Sequence, residues 1–350
     1  MDTVTPSTAQ LPSDAPLARL LAPEIWPEQP PLHDAGRCEI SAVVASLALG
    51  GAERIVLDWA AGCAARYRVR LFVLREARAE WPVPSGVQVM RLPGKDQERE
   101  LQRCGAEIAA GGNPVALCHL LTAAERRALA RGGARPVPVL HNAAAGWPEA
   151  ADAVADAPWT IAVSRDAARS LRSGASRVPC AVVHHIPRTP IAHPDARRDW
   201  RTRWALPHDA SVLGMIGAVK PQKSYTRALR VLAALLERRD AWLVIVGGPV
   251  GRDGLLAWCA VLAQAQRLGV AKRVRLPGFV PGAADCLPAF DVVLNTSRYE
   301  GLSIATLEAL AAGLPVVASE VGGQGEIPAP GLALVPVAAS DELWAGAVDR

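Results

Sequence analysis

An α/β fold of two doubly wound parallel sheets in series, facing one another across a cleft, is predicted by three features of this sequence. Short β-branched runs alternate with longer helical stretches, the rhythm stops at a proline-rich break, and it then restarts. Strand–helix alternation implies right-handed crossovers and a parallel sheet covered on both faces. With 350 residues, 50% of them apolar and 21% charged, the chain is too large for one core and too apolar to stay unfolded. The expected division is a proline-rich, disordered extension over 1–36, a first domain over 37–190 and a second over 191–350.

The first domain opens with a strand at 40–46. A helix follows, with Ile55, Val56, Trp59, Ala60 and Cys63 on one face. Further strands fit 69–74, 87–91, 115–119, 137–141, 160–163 and 181–184. Three prolines between Ile186 and Asp195 mark the linker. Beyond it, strands fit 212–216, 243–246, 273–276, 291–295, 315–318 and 332–335. Helices fit 226–238, 255–268, 303–312 and 341 onward. Sheets of this kind bind ligands outside the carboxyl ends of their strands, so two facing sheets place the site between them.

Composition excludes several classes. The net charge of +4 is spread along the chain with no basic run interleaved with aromatics, so nucleic acid is not an expected partner. The seven cysteines contain no C-x-x-C pair and read as buried thiols of a reducing compartment. The first 34 residues lack a basic stretch followed by an apolar core, so they are not read as a signal peptide. No apolar run approaches the roughly 18 residues that span a bilayer. The expectation is a cytoplasmic protein, with peripheral contact at the inner membrane face open to a mildly basic surface. No Asp-x-Asp at a strand end and no H-E-x-x-H is present, so no metal is expected.

The sharpest local feature runs from Arg298 to Leu310. The strand at 291–295 feeds a loop holding Glu300, and a helix opens near Ser303, a residue suited to the N-cap. Backbone N–H groups at a helix start form an anion site. Glu308 lies about 7–8 Å further along the helix axis at the usual rise. Two carboxylates flanking such a site suit a ligand with hydroxyls at both ends and phosphates in the middle. On spacing alone, a solvent-facing glutamate remains an open alternative.

The residues from Cys38 to Val337 resemble the retaining glycosyltransferases of family four, whose fold is called GT-B. Four pieces match in order: 217–223 (GAVKPQK), 244–248 (VIVGG), 273–279 (RVRLPGF) and 300–323, which contains the Glu-x7-Glu pair and Gly322-Gly323. In the first half, 50–54 (GGAER) resembles the family's donor-facing loop, and His141-Asn142 resembles its catalytic-region histidine. The resemblance implies that Glu308 binds the ribose and that Glu300 lies against the donor sugar. It implies that Lys223 and the amides of Leu302 and Ser303 neutralise the diphosphate, and that Gly51 approaches from the opposite domain. His141 would contact the sugar near the reacting carbon, and Phe279 and Val280 would edge the base pocket. His141, Glu300 and Lys223 thus form the expected catalytic set, serving a UDP- or GDP-sugar and a glycan or lipid-linked acceptor without a resident cofactor.

This chain departs from the family in two places. Ala218 stands where many relatives have an arginine that forks onto the diphosphate, which leaves Lys223, with Lys220, as the expected clamp. Relatives also continue into a crossover helix, whereas this sequence stops at Arg350, soon after Asp341-Glu342-Leu343-Trp344 begins a helix. That helix is expected to be missing, leaving apolar surface exposed. A non-catalytic nucleotide-sugar-binding protein is therefore the second reading. A nicotinamide-dependent dehydrogenase is disfavoured, because neither Gly50-Gly51 nor Gly247-Gly248 supplies G-x-G-x-x-G. His184 and His185, read as successive strand residues on opposite faces, are not expected to share a ligand.

Overall fold

The computed structural model describes residues 38–92, 94, 96–142, 154–155, 157–173, 178–187 and 194–350. The predicted extension at 1–36 and the middle of the predicted linker, 188–193, lie outside the described residues.

The first half forms a seven-stranded parallel sheet in the order β3-β2-β1-β4-β5-β6-β7. Its strands are β1 (Glu39–Val44), β2 (Arg68–Val73), β3 (Val87–Arg91), β4 (Val115–His119), β5 (Arg135–Leu140), β6 (Thr160–Ala162) and β7 (Cys180–Val182). The helices α1 (Gly51–Ala64), α2 (Gln97–Ala110), α3 (Ala123–Arg131) and α4 (Arg165–Ser173) provide crossovers between them. Branched and aromatic residues such as Val43, Val44, Leu71 and Phe72 are buried, as a doubly covered sheet requires. On α1 the buried positions are Val56, Leu57 and Ala60. Leu57 takes a core place, whereas Ile55, Trp59 and Cys63 of the expected stripe are half-buried.

The second half forms a six-stranded parallel sheet in the order β10-β9-β8-β11-β12-β13. It is built from β8 (Ser211–Ile216), β9 (Ala241–Val246), β10 (Val274–Gly278), β11 (Val292–Asn295), β12 (Val316–Ser319) and β13 (Leu332–Val335). Its helices are α5 (Ala196–Arg203), α6 (Tyr225–Leu236), α7 (Gly251–Arg267), α8 (Ile304–Ala311) and α9 (Asp341–Val348). Every residue of β9, Ala-Trp-Leu-Val-Ile-Val, is buried. α5 is tied to the sheet by Arg201, 0% exposed, whose guanidinium donates to four carbonyls and to Asp291 Oδ2 at 2.8 Å. The same carboxylate accepts from Val212 N, so one buried fork fixes α5, β8 and the entry to β11 together.

The last helix, expected from 341 onward, is built into the core: Trp344, Ala345, Ala347 and Val348 are buried in the cluster shared with α6. Arg227 lies over the Trp344 ring, and Arg230 pairs with Asp341 at 2.7 Å. Removing a fully buried aromatic of this kind costs about 3–5 kcal/mol, so this helix is part of the core. A correction concerns the thiols. Cys104, Cys118 and Cys286 are buried, Cys63 and Cys180 are half-buried, and Cys38 and Cys259 are exposed. Among the described residues, no helix is long and apolar enough to cross a membrane.

Candidate active site

The carboxyl ends of the two sheets meet, and the meeting depends on glycine. A Cβ at Gly301 would lie 1.9 Å from the carbonyl oxygen of His141, and one at Gly323 would lie 2.6 Å from Ser164 Cβ. Gly323 N donates to Gly301 O at 2.7 Å, which closes this corner of the loop. Backbone of the second domain therefore packs directly on the strand ends of the first, an approach that only a residue without a side chain permits. Glu326, just beyond, accepts from the amides of Arg165 and Asp166 at 2.7 Å each and lies 3.1 Å from His184 Nε2. A carboxylate of one domain thus sits on the N-terminus of α4 in the other, where the helix dipole favours negative charge. Burial pushes the Glu326 carboxyl up, but His184 and the two amides outweigh it and hold its pKa low. Phe279 completes the contact by meeting Trp81 edge-to-face at 5.7 Å between ring centroids.

Two loops of the second domain carry the Lys223 and Glu300 side chains. Lys223 ends a 3₁₀ turn, Pro221–Lys223, that is laced to the loop after β11: Arg298 N donates to Gln222 O, Gln222 Nε2 to Tyr299 O, and Thr296 Oγ1 to Lys223 O. This brings Lys223 Nζ to 2.6 Å from Glu300 Oε1, and Ser297 Oγ donates to the same oxygen at 2.6 Å. Lys223, expected as a free cation for a diphosphate, is therefore ion-paired to the carboxylate expected at the sugar. Glu300 is 8% exposed, so the pair is largely desolvated on the acid side. Beneath it, the Tyr225 hydroxyl donates to Gly217 O at 2.8 Å; burial, then the Glu300 charge, pushes the phenol pKa up and keeps it a donor.

α8 begins where the N-cap expectation put it. Ser303 is its N-cap, accepting from Thr306 N, and the first helical residue is Ile304. Asn295 Nδ2 donates to both Ser303 Oγ and Thr306 Oγ1, and Thr306 Oγ1 donates to Gln324 Oε1 at 2.8 Å. This buried polar chain fixes the helix start and therefore its exposed amides; nothing in the spacing of Asn295, Thr306 and Gln324 marks them as a unit. Leu302 packs among Val139, Val163 and Leu307, and Glu308 is 7% exposed on α8. A recess at the ends of β8 and β11 is lined by Ile216, Lys223, Asn295, Ala305 and Thr306. Val280 is buried in the core, whereas Phe279 stays 43% exposed at the cleft edge. A Cβ at Gly51 would touch only Ile304 Cδ1, at 4.0 Å, so space at that position is limited by the opposite domain and not by its own loop.

The first domain contributes imidazoles. His141 stands one residue past β5 and His119 is the last residue of β4, 7% and 5% exposed. His119 Nδ1 lies 2.9 Å from His141 Nε2, and the His185 ring stacks on His141 with centroids 6.1 Å apart. His184 and His185 lie past the end of β7, outside the strand expected to hold them, and turn to different partners. Burial is the main cause that lowers all three pKa values, His141 to about 4 and His119 and His185 well below their usual value. The rings are therefore neutral at pH 7, and each nitrogen has one fixed character, donor or acceptor. Among the described residues, His141 Nδ1 and His119 Nε2 are buried without a hydrogen-bond partner, which typically costs roughly 1–3 kcal/mol per group. Leu120, directly after His119, has φ 61°, a left-handed conformation costing an L-residue roughly 1–2 kcal/mol. It is held there by the capping box of α3 between Thr122 and Glu125. Sequence reasoning missed His119, although a histidine closing a strand at this end of a parallel sheet is the same signal that singled out His141.

Comparisons with known proteins agree with this geometry. Residues 210–350 match the family model described as Glycosyl transferases group 1. The D-inositol 3-phosphate glycosyltransferase of Mycobacterium marinum is 31% identical over 242 residues, which cover 67% of this chain and 49% of that protein. D-inositol 3-phosphate glycosyltransferase 2 of Catenulispora acidiphila is 37% identical over 155 residues, covering 42% of this chain and 36% of that one. The chain thus spans about half the length, or less, of these curated relatives. Among solved structures, Anabaena Alr3699/HepE in complex with UDP and glucose superposes with a TM-score of 0.72 at 18% identity, covering 89% of this chain and 90% of that one. Sucrose-phosphate synthase of Thermosynechococcus elongatus gives 0.71 at 20% identity, covering 90% and 89%. Residues 210–350 thus match the group 1 glycosyl transferases, and the chain as a whole has the GT-B fold of the solved structures on which it superposes.

Proposed function

We propose that this chain is a retaining, metal-independent transferase that moves a sugar from a UDP- or GDP-sugar to a glycan or lipid-linked acceptor in surface polysaccharide or glycoconjugate synthesis. The observation that carries the reading is the seating of Gly301 on His141. It sets the Lys223–Glu300 pair and the start of α8 in the second domain against the neutral imidazoles of the first. Negative charge grows on a departing nucleoside diphosphate as the glycosidic bond breaks. Lys223 and the amides at the start of α8 are the groups able to stabilise it, since a fixed cation and helix dipole in a dry site lower such a barrier. In this reading Lys223 shifts part of its interaction from Glu300 to the diphosphate, freeing the carboxylate for a sugar hydroxyl. Glu308 binds the ribose, Gly51 and Phe279 border the donor, and the closed domain contact keeps out water that would hydrolyse it. Action at the inner membrane face, where a lipid-linked acceptor is met, belongs to the same proposal.

The decisive experiment is calorimetric titration with UDP and with GDP, each with and without EDTA. Binding of one nucleotide, unchanged by EDTA and lost in Glu308→Ala, is the expected result. Binding of neither would sink the donor assignment. A second reading, a nucleotide-sugar-binding protein without turnover, is favoured by two details: Lys223 is committed to Glu300 at 2.6 Å, and Ala218 supplies no guanidinium. Nucleotide binding without release of nucleotide from any UDP- or GDP-sugar would establish that reading.

A further inference from the structure

We propose that His119 is a positioning residue for His141: their hydrogen bond fixes the rotation and tautomer of the His141 ring and leaves Nδ1 as the polar atom of that ring open to a ligand. The inference rests on the reading that His141 borders the donor sugar.

The geometry carries it in three steps. The 2.9 Å contact joins His119 Nδ1 to His141 Nε2, and between two neutral rings one of these nitrogens must hold the hydrogen while the other accepts. Once that choice is made, the remaining nitrogen of His141 has the opposite character, so the tautomer that His119 holds sets what Nδ1 offers. That nitrogen is buried and unpartnered among the described residues, on a side chain more than nine-tenths buried. A buried polar atom held in place without a partner is what a preorganised ligand contact looks like before the ligand arrives. The second step is rigidity. His119 closes β4, its carbonyl accepts from Ala45 N at 3.2 Å, and the left-handed Leu120 turns the chain at once into the capped start of α3. His119 therefore has little freedom to follow a moving partner. The third step is containment: His185 stacks on one face of the His141 ring, and Gly301 packs on the His141 carbonyl and pins the backbone that carries it. His119 itself need not touch substrate; it acts through His141.

The test uses the full chain labelled with ¹⁵N-histidine, at pH 7, in three forms: unaltered, His119→Leu and His119→Asn. Asparagine places an amide near the position of Nδ1 and can renew the bond, whereas leucine cannot. Long-range ¹H–¹⁵N spectra, with His141 assigned by its loss in His141→Asn, report the tautomer of His141 without any ligand. The unaltered protein is expected to show one tautomer, His119→Leu an average of both, and His119→Asn a single one again. In turnover of the UDP- or GDP-sugar that the protein uses, His119→Leu is expected to lower kcat about tenfold or more with KM within about twofold, and His119→Asn to restore most of it. An unchanged His141 spectrum in His119→Leu overturns the proposal, as does a changed spectrum with unchanged kcat. If no nucleotide sugar is turned over by the unaltered protein, the functional reading fails while the spectra still decide whether His119 sets the tautomer. A folding defect in His119→Leu would show as loss of cooperative melting, and His119→Asn against the unaltered chain then decides alone: a mixed tautomer in the asparagine form overturns the proposal, a single one upholds it.

Discussion

The two domains offer opposite chemistry to one cleft. The second presents charge: the Lys223–Glu300 pair, Glu308, and the amides at the start of α8, all braced by backbone bonds between neighbouring loops. The first presents rings from which charge has been driven out by burial, His119, His141 and His185. Charge suits a ligand portion that is itself charged and becomes more so during reaction. Neutral imidazoles suit hydroxyls, which need a donor or an acceptor of fixed sense and gain little from a net charge. The division matches a ligand with a diphosphate at one end and a sugar at the other, and it explains why neither half alone forms the site.

Removing the cation from the charged side is expected to have the largest effect. Lys223→Ala should lower transfer by about 10²–10³, the usual cost of deleting a preorganised group aimed at developing charge. The same variant strands Glu300 on Ser297 alone; because Lys223 is partly exposed, the stability loss should be about 2 kcal/mol, below that of a fully buried pair. Steady-state kinetics and a urea midpoint check the two effects, and unchanged turnover would remove Lys223 from the mechanism.

Acid tests the neutral side. The folded His141 has its pKa lowered to about 4, below the ordinary 6.5, so on acidification the unfolded chain takes up the proton first. Stability conferred by the neutral ring is therefore complete above pH 6.5 and is lost as pH falls toward about 4, with a slope approaching about 1.4 kcal/mol per unit from this residue. Urea midpoints measured over that window should fall, and fall less steeply in His141→Asn. Burial moves His119 and His185 the same way, so the slope in the unaltered protein should exceed that of one group. A midpoint independent of pH across the window would mean that these rings are charged or solvated.

The smallest expected effect lies where the two sides touch through side chains. Phe279→Ala removes the edge-to-face contact with Trp81, worth about 0.5–1.5 kcal/mol in such pairs. The loss should appear in nucleotide affinity, at most about tenfold, with kcat nearly unchanged, and isothermal titration measures it. A larger loss would make Phe279 a direct wall of the base pocket.

Much of this was legible in the sequence because it follows from periodicity and local chemistry. The thirteen strands among the described residues stand within a few residues of where β-branched runs predicted them, and Ser303 announced the start of α8. Contacts between the domains were not legible, since they join positions far apart in the chain by way of the fold. Glu326 reads as an ordinary surface acid until α4 is brought against it, 160 residues away in sequence. Gly301 reads as a loop glycine until the carbonyl of His141 is found beneath it. The ion pair of Lys223 and Glu300, 77 residues apart, is of the same kind: each was chosen for the ligand, and the fold made them partners.

Glu326 has one more consequence. Its carboxylate terminates a helix that belongs to the other domain, so the two domains are coupled through secondary structure as well as through packing. Moving them apart leaves Ser164 capping Ala167 N from within the first domain, but releases the amides of Arg165 and Asp166 to water. Hydrogen exchange at those two amides is thus a built-in gauge of how far apart the halves stand.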